Sequence, residues 1–338
     1  MKALMCAISG VFGLMTLVFT TDLRAELRVV ASINPIHSLV SAVMDGVGTP
    51  DLIMSGAGSP HSYALRPSQA RALQNADVIF WVGSELEQFL TKAITTTGQN
   101  ARSVALIDSE GMARRPFREH HNDHADTEKE HDHKKHDHEG HKHEEHKHEE
   151  HKHEEHGHEG HRHDSDATDP HIWLDPMNAK AMVSAIADAL SKADPSNADR
   201  YRDNAAHLSD RLDQLAADIA DQIKEVKDQK YIVFHDAYQY FEAHFGMQSA
   251  GSITVNPDTM PGAEHLRHIK QKVAILGATC VFSEPQFKPK LVQLVVEGTA
   301  AKSSVLDPLG AHLSPGPEQY FQLMQDMASS MGGCLSAR

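Results

Sequence analysis

Short apolar runs alternate with segments of helical periodicity along most of this chain. Residues 27–33 (LRVVASI) form a β-rich run that ends at Asn34 and Pro35, and the following IHSLVSAVM places apolar side chains at helical spacing. The alternation continues with a helix in LRPSQARALQNA, a strand in DVIFWVG, a helix in ELEQFLTKAI and a strand in SVALID. Alternating units of this kind predict an α/β lobe built on a parallel sheet.

A long amphipathic pattern occupies the middle of the chain. A helical stretch covers about residues 177–192, Asp194 and Pro195 interrupt it, and a second pattern runs to about residue 229. Its apolar residues step by three or four, as one helix with a single apolar stripe requires: Tyr201, Ala205, Leu208, Leu212, Leu215, Ile219, Ile223 and Val226. At about 1.5 Å per residue this helix would be roughly 50 Å long, which predicts a rigid connector over residues 195–229.

The pattern beyond the connector returns to strands and helices. KYIVFHDAY and ATCVFSEPQ are typical of strands that run into loops, VAILG ends the helix before the second, and SSVLDPLG precedes a C-terminal helix. We therefore predict two parallel-sheet α/β lobes joined by one long rigid helix, with a cleft between them. The N-terminal lobe would span residues 26–194 and the C-terminal lobe residues 230–338.

The N-terminus has the features of a secretory signal. Lys2 precedes an apolar run over residues 3–19, and a small residue, Ala25, marks the expected cleavage site. An uncleaved membrane anchor is the alternative. Removal of the signal leaves two cysteines, Cys280 and Cys334, which in an exported protein can form one disulfide or remain two separate buried thiols.

Length and charge narrow the class of protein. A chain of 338 residues with 40% hydrophobic content is typical of about two globular domains. The segment 119–169 holds 18 acidic and 7 basic residues, so it carries −11 of the formal net charge of −15. A basic surface for nucleic acid is therefore not supported, and the negative segment would attract cations.

Residues 141–164 (HKHEEHKHEEHKHEEHGHEGHRHD) repeat a five-residue unit rich in histidine and almost free of apolar atoms. Such a segment cannot bury enough apolar surface to offset its ordering entropy, which predicts a mobile insert over residues 118–168. Imidazoles and carboxylates bind divalent metals, so we expect weak auxiliary sites. The histidines concerned are His141, His143, His146, His148, His151, His153, His156, His158, His161 and His163. An artificial tag or a solubilising spacer is the alternative.

Four short segments offer metal ligands where a strand pattern ends. They are GSPHSY with His61, DPHIWLDP with His171, FHDAY with His235 and VLDPLG with Asp307, two from each predicted lobe. Open α/β sheets bind ligands at the carboxyl ends of their strands. Three imidazoles and one carboxylate suit four-coordinate Zn²⁺, whereas oxygen-rich sites favour Mn²⁺. Each histidine alone is weak support, because isolated histidines are more often surface or hydrogen-bonded residues.

Six segments together resemble a known family. GAGSPHSYALRPSQARALQNADVIFWVGSELEQFL, HIWLDPMNA, YIVFHDAYQYFEAHFG, ITVNPDTMPGAEHL, ATCVFSEPQF and LDPLG are similar, in the same order, to the periplasmic zinc-binding component of bacterial high-affinity zinc ABC transporters, the ZnuA type. The resemblance covers essentially the whole mature chain. It implies two α/β lobes bridged by one long helix, a single metal in the interlobe cleft, and a loop rich in histidine and acidic residues.

The resemblance also implies roles for particular residues. His61, His171 and His235 would be the three imidazole ligands, and an imidazole at 235 favours zinc because manganese-binding relatives usually have a carboxylate there. Asp307 would be the fourth ligand or would lie behind a water that completes the site. Some zinc-binding relatives have an acidic residue before the first histidine, where this chain has Pro60. The resemblance further implies a disulfide between the two cysteines of the mature chain, Cys280 and Cys334.

The function implied is capture of Zn²⁺ in the periplasm and its delivery to an inner-membrane ABC permease and its ATPase subunit. Periplasmic zinc donor proteins are further candidate partners, and we expect a monomer that is not an enzyme. A zinc hydrolase is one alternative, since three histidines and a water can form an active site, but no general base stands in a recognised motif. A periplasmic zinc buffer or chaperone and a manganese-binding relative are the others.

Overall fold

Two four-stranded parallel sheets form the framework of the protein. The computed structural model describes residues 27–118, 168–254, 257 and 260–336. The first sheet has the order β2-β1-β3-β4 and the second has the matching order β6-β5-β7-β8. The strands are β1 (Val29–Ile33), β2 (Asp51–Met54), β3 (Val78–Trp81), β4 (Arg102–Ala105), β5 (Tyr231–His235), β6 (Gly251–Thr254), β7 (Cys280–Ser283) and β8 (Lys302–Val305). The predicted fold class is confirmed.

Helices cover the sheets and connect them. They are α1 (Asn34–Val43), α2 (Pro67–Asn75), α3 (Gln88–Thr96), α4 (Pro176–Ala193), α5 (Ala198–Ile223), α6 (Gln239–Phe245), α7 (Ala263–Leu276), α8 (Lys290–Val296) and α9 (Gln319–Ser336). Among these described helices, none combines the length and the apolar character that crossing a membrane requires.

The inner strands β1 and β5 are buried along their whole length. Both are rich in β-branched and aromatic residues, which suit a strand covered on its two faces. Neither β2 nor β6, at one edge of each sheet, was assigned a residue range from the sequence. DLIM holds three consecutive apolar residues and GSIT only one, so neither stands out as an apolar run. SVALID was expected to be one strand, but its last three residues form a 3₁₀ turn.

The connector helix α5 is shorter than its sequence pattern suggested. It has 26 residues and is about 39 Å long at about 1.5 Å per residue. Before it, Pro195–Asn197 form a 3₁₀ turn, in which the Asp194 carboxylate accepts hydrogen bonds from Ser196 and Asn197. The predicted apolar stripe of α5 is buried, and Val226 is buried in the turns that follow. The predicted domain limits at 194 and 230 stay predictions.

A single apolar core extends through both lobes. Helix α5 packs against α4, α1 and α9. The largest buried cluster includes Ile33 and Leu39 near the first sheet, Leu212 on α5, Tyr240 on α6 and Met327 on α9. Two smaller clusters lie elsewhere in the lobes, one in each. Because the central core belongs to both lobes, we expect them to unfold as one cooperative unit.

A disulfide joins Cys280, at the start of β7, to Cys334 in α9, with 6.1 Å between the two Cα atoms. The predicted pairing is confirmed, and it attaches the C-terminal helix to the second sheet. The predicted signal sequence and the histidine repeat lie outside the described residues.

Candidate metal centre

The side chains of His61, His171 and His235 meet between the two lobes. Their ring centroids are 5.4 Å apart for His61 and His171, 6.0 Å for His61 and His235, and 5.2 Å for His171 and His235. One nitrogen of each ring lies within 4.8 Å of the corresponding nitrogens of the other two, and the three form the only such potential metal group among the described residues. The three histidines come from segments far apart in the sequence, and the fold places them side by side.

Different local structures position the three rings. His235 is the last residue of β5, and His61 lies in the loop that follows β2, as the strand-end argument expected. The same expectation is wrong for His171, which follows no strand directly. It lies three residues after Thr168, where the described chain resumes, and directly before the 3₁₀ turn Ile172–Leu174. This turn leads into α4. The preceding strand β4 ends far earlier, at Ala105.

Buried carboxylates orient two of the rings. His171 Nδ1 lies 2.7 Å from Asp169 Oδ1, and His235 Nδ1 lies 2.7 Å from Glu284 Oε1. Both carboxylates are almost fully buried. Each therefore favours a proton on Nδ1 and leaves Nε2 with a free lone pair for a metal. The two Nε2 atoms face each other at 3.3 Å.

Asp169 in turn is held by the opposite lobe. Gln239 Nε2, at the start of α6, donates to Asp169 Oδ2 at 2.5 Å, and the Tyr240 hydroxyl donates to the Asp169 carbonyl at 2.8 Å. Sequence reasoning did not identify Asp169 or Glu284. The available signals were an acidic residue two positions before His171 and an acidic residue directly after β7, the strand paired with β5.

The histidine-rich segment begins and ends beside this centre. Pro116 and Thr168 form an isolated antiparallel bridge, and Asp169 N donates to the Arg115 carbonyl at 2.8 Å. Next to the bridge, the Arg118 guanidinium forms an ion pair with Glu242 of α6. The described chain therefore stops at Arg118 and resumes at Thr168 in the same part of the fold, three residues before His171.

The electrostatic environment differs among the rings. Burial, together with the neighbouring imidazoles of His171 and His235, lowers the pKa of His61 to about 2, so this ring is neutral. Burial also lowers the pKa of His235, but the charge and hydrogen bond of Glu284 outweigh it and leave the pKa above its ordinary value. A proton therefore competes with a metal for His235 more strongly than for His61.

Asp307 does not join the three imidazoles. Its Oδ1 accepts hydrogen bonds from Leu309 N, Gly310 N and Gln286 Nε2, at 3.1, 3.1 and 2.9 Å, and its Oδ2 accepts one from Ala311 N at 2.6 Å. These bonds organise the loop after β8. Its place behind a water and its role as a direct ligand both stay predictions.

The space between the rings suits a single ion. A cavity of about 10 Å³ opens beside the histidines, and its other walls include Trp173, Phe287, Pro308 and Leu309. His61 Nε2 is buried there without a hydrogen-bond partner. A buried lone pair without a partner is costly unless a ligand uses it. The donor set, three nitrogens in a small and mostly apolar cavity, fits Zn²⁺.

Comparison with known proteins gives the family. The protein-family model described as "ZnuA: Zinc-uptake complex component A periplasmic" matches residues 29–334 of this chain. This chain belongs to the ZnuA family. The high-affinity zinc uptake system protein ZnuA of Brucella suis is 54% identical over 310 residues, which are 91% of each chain. The protein of the same name from Paracoccus denitrificans is 44% identical and covers 93% of this chain and 94% of its own.

Solved structures with the ZnuA fold extend the comparison. A ZnuA deletion mutant with zinc bound has a TM-score of 0.70 at 21% identity, covering 92% of this chain and 99% of that one. FpvC from Pseudomonas aeruginosa in complex with Mn²⁺ has a TM-score of 0.71 at 17% identity, covering 92% and 99%. At these identities the likeness concerns the fold alone.

Proposed function

We propose that this protein captures Zn²⁺ in the periplasm with His61, His171 and His235, and delivers it to an inner-membrane ABC permease. The observation that carries the proposal is the convergence of three imidazoles, two of which are oriented by buried carboxylates. Oriented rings of this kind give strong, selective metal binding. The curated relatives named for high-affinity zinc uptake support the same metal and the same role.

Nitrogen ligands support zinc over manganese. Mn²⁺ favours sites dominated by oxygen, whereas three imidazoles suit tetrahedral Zn²⁺. His235 is the position to replace, because the sequence resemblance implies a carboxylate there in manganese-binding relatives, and its Nε2 faces that of His171 at 3.3 Å. Replacement His235→Glu should therefore shift the preference of the site towards Mn²⁺.

The shape of the site supports binding rather than catalysis. The cavity beside the rings has room for one ion or one water molecule, and Trp173, Phe287 and Leu309 contribute apolar walls. Together with the relatives named for zinc uptake, this supports our proposal that the protein is not an enzyme.

Metal titration of the full chain tests the site. The metal-free protein is titrated with Zn²⁺ against a competing chelator strong enough to keep weaker sites empty. We expect one tight zinc per chain, and each of His61→Ala, His171→Ala and His235→Ala should lower its affinity more than 100-fold. His268→Ala is the matched control, since this exposed histidine on α7 is outside the three-histidine group. A tight zinc that survived all three replacements would refute the site assignment.

Transport is tested separately. Expression of the protein should restore growth of a zinc-uptake-deficient strain on chelated medium when the permease and ATPase are present. A strain that lacks the permease should not recover. Recovery without the permease would favour the zinc buffer or chaperone alternative.

A further inference from the structure

One polar side chain at the metal cavity is not accounted for by the three histidines. Gln286 lies in the loop after β7 and lines the cavity together with His61, His171 and His235. Its Nε2 donates to Asp307 Oδ1 at 2.9 Å, whereas its Oε1 is buried and has no hydrogen-bond partner. A buried carbonyl oxygen that accepts nothing is destabilising, which suggests that a donor occupies this place when the site is in use.

The orientation of the Gln286 amide is determined by its neighbour. Asp307 is a carboxylate whose Oδ1 also accepts from Leu309 N and Gly310 N, so it can only accept a hydrogen bond from Gln286. The amide nitrogen must therefore face Asp307, and the amide oxygen must face away from it. Asp307 therefore influences the metal cavity through Gln286, because its own oxygens also accept hydrogen bonds from the loop after β8.

Three imidazoles leave one position of a tetrahedral Zn²⁺ open. Zinc sites with three protein ligands usually complete their coordination with a water molecule. Zinc polarises such a water and makes it a strong hydrogen-bond donor. An amide oxygen is a weak zinc ligand but a good acceptor for the hydrogen bond of this water. Among the unpartnered polar atoms of the described cavity wall, Gln286 Oε1 is the one whose residue is neither a proposed histidine ligand nor hydrogen-bonded to one.

We propose that Gln286 is a positioning residue that holds the fourth zinc ligand, a water molecule, by accepting its hydrogen bond at Oε1. The inference rests on the proposed function, since it needs a zinc at the three histidines. It accounts for the fourth position of the zinc although the oxygens of Asp307 accept hydrogen bonds from its own loop. Asp307 becomes the group that fixes the acceptor.

Two substitutions separate this role from simple anchoring of the Asp307 loop. Gln286→Met has a similar length but lacks both the oxygen and the nitrogen. Gln286→Glu loses the donor to Asp307 but brings a carboxylate, a stronger acceptor, whose attraction to the zinc and repulsion by Asp307 replace that bond in directing it towards the cavity. The full-length proteins are titrated with Zn²⁺ against a chelator, and thermal melts of the metal-free proteins confirm that each variant is folded. We expect Gln286→Met to weaken zinc binding 10- to 100-fold, the range typical of residues that orient a metal site, and Gln286→Glu to stay within about 3-fold of wild type or bind more tightly.

The Co²⁺-loaded proteins give a second readout, because ligand-field absorption in the visible range reports the coordination of the metal. Azide should displace a water that is no longer held, so the Gln286→Met spectrum should respond to at least 10-fold less azide than the wild-type spectrum. Equal losses in Gln286→Met and Gln286→Glu would overturn the proposal in favour of loop anchoring, and wild-type affinity and azide response in Gln286→Met would overturn it outright. Wild-type and His61→Ala proteins with equal zinc affinity would instead show that the proposed function has failed.

Discussion

Glu87 should make the protein less stable as the pH rises from about 4.5 to 7. This residue precedes α3 and is fully buried, and its Oε2 accepts hydrogen bonds from Val82 N and Gly83 N at 2.9 and 3.0 Å. Burial raises the pKa of Glu87 from 4.5 to about 7, although the interactions with Ser32 and the two backbone amides lower it. The folded protein therefore binds a proton that the unfolded chain has already released.

The magnitude follows from the two pKa values. With about 1.4 kcal/mol for each pH unit between 4.5 and about 7, ionisation of Glu87 removes about 3 kcal/mol of folding free energy. The stabilisation is fully present below pH 4.5 and is lost by about pH 7. Glu87→Gln keeps an oxygen acceptor for the two amides and stays neutral at every pH. Its stability relative to wild type should therefore increase by about 3 kcal/mol between pH 4.5 and pH 8.

Urea unfolding of metal-free wild-type and Glu87→Gln proteins, at matched ionic strength between pH 4.5 and 8, measures this difference. The other ionisable groups are common to both proteins and cancel in the difference. Glu85→Gln is the matched control for the loss of a carboxylate, because Glu85 is exposed two residues away. A flat difference for Glu87→Gln, or one that grows towards acid, would show that Glu87 is ionised in the fold and that the reasoning is wrong.

Three further outcomes are expected. Replacing both Cys280 and Cys334 by Ser should lower the unfolding free energy by about 4 kcal/mol in urea titrations, since the bridge closes a separation of 54 residues; an unchanged midpoint would contradict this. Asp169→Asn and Glu284→Gln should each weaken zinc binding 10- to 100-fold by chelator competition, because a carboxylate no longer fixes the ring of a ligand; wild-type affinity would contradict it. Deleting residues 119–167 should preserve the tight zinc and the melting temperature; loss of either would place the segment in the core site.

The sequence predicted the elements that are long or strongly patterned. The apolar stripe of α5 repeats often enough to be recognised, whereas β2 and β6 hold at most three consecutive apolar residues and acquire their pairing only from the neighbouring strand. The three histidines were found because they stand in distinctive segments. Asp169 and Glu284 were not found as their partners, because a hydrogen bond between residues 49 positions apart, as in His235 and Glu284, depends on strand order.

The bridge between Pro116 and Thr168 has an evolutionary consequence. Because the chain departs and returns at one point, residues can be gained or lost between Arg118 and Thr168 without altering the spacing of residues within the parts on either side. Thr168 must keep its place in the bridge, because Asp169 is the next residue and His171 is the third residue after it. A five-residue repeat located there can expand or contract by recombination within the gene. Selection can thus change the number of histidines in the repeat while the places of Asp169 and His171 in the fold are inherited unchanged.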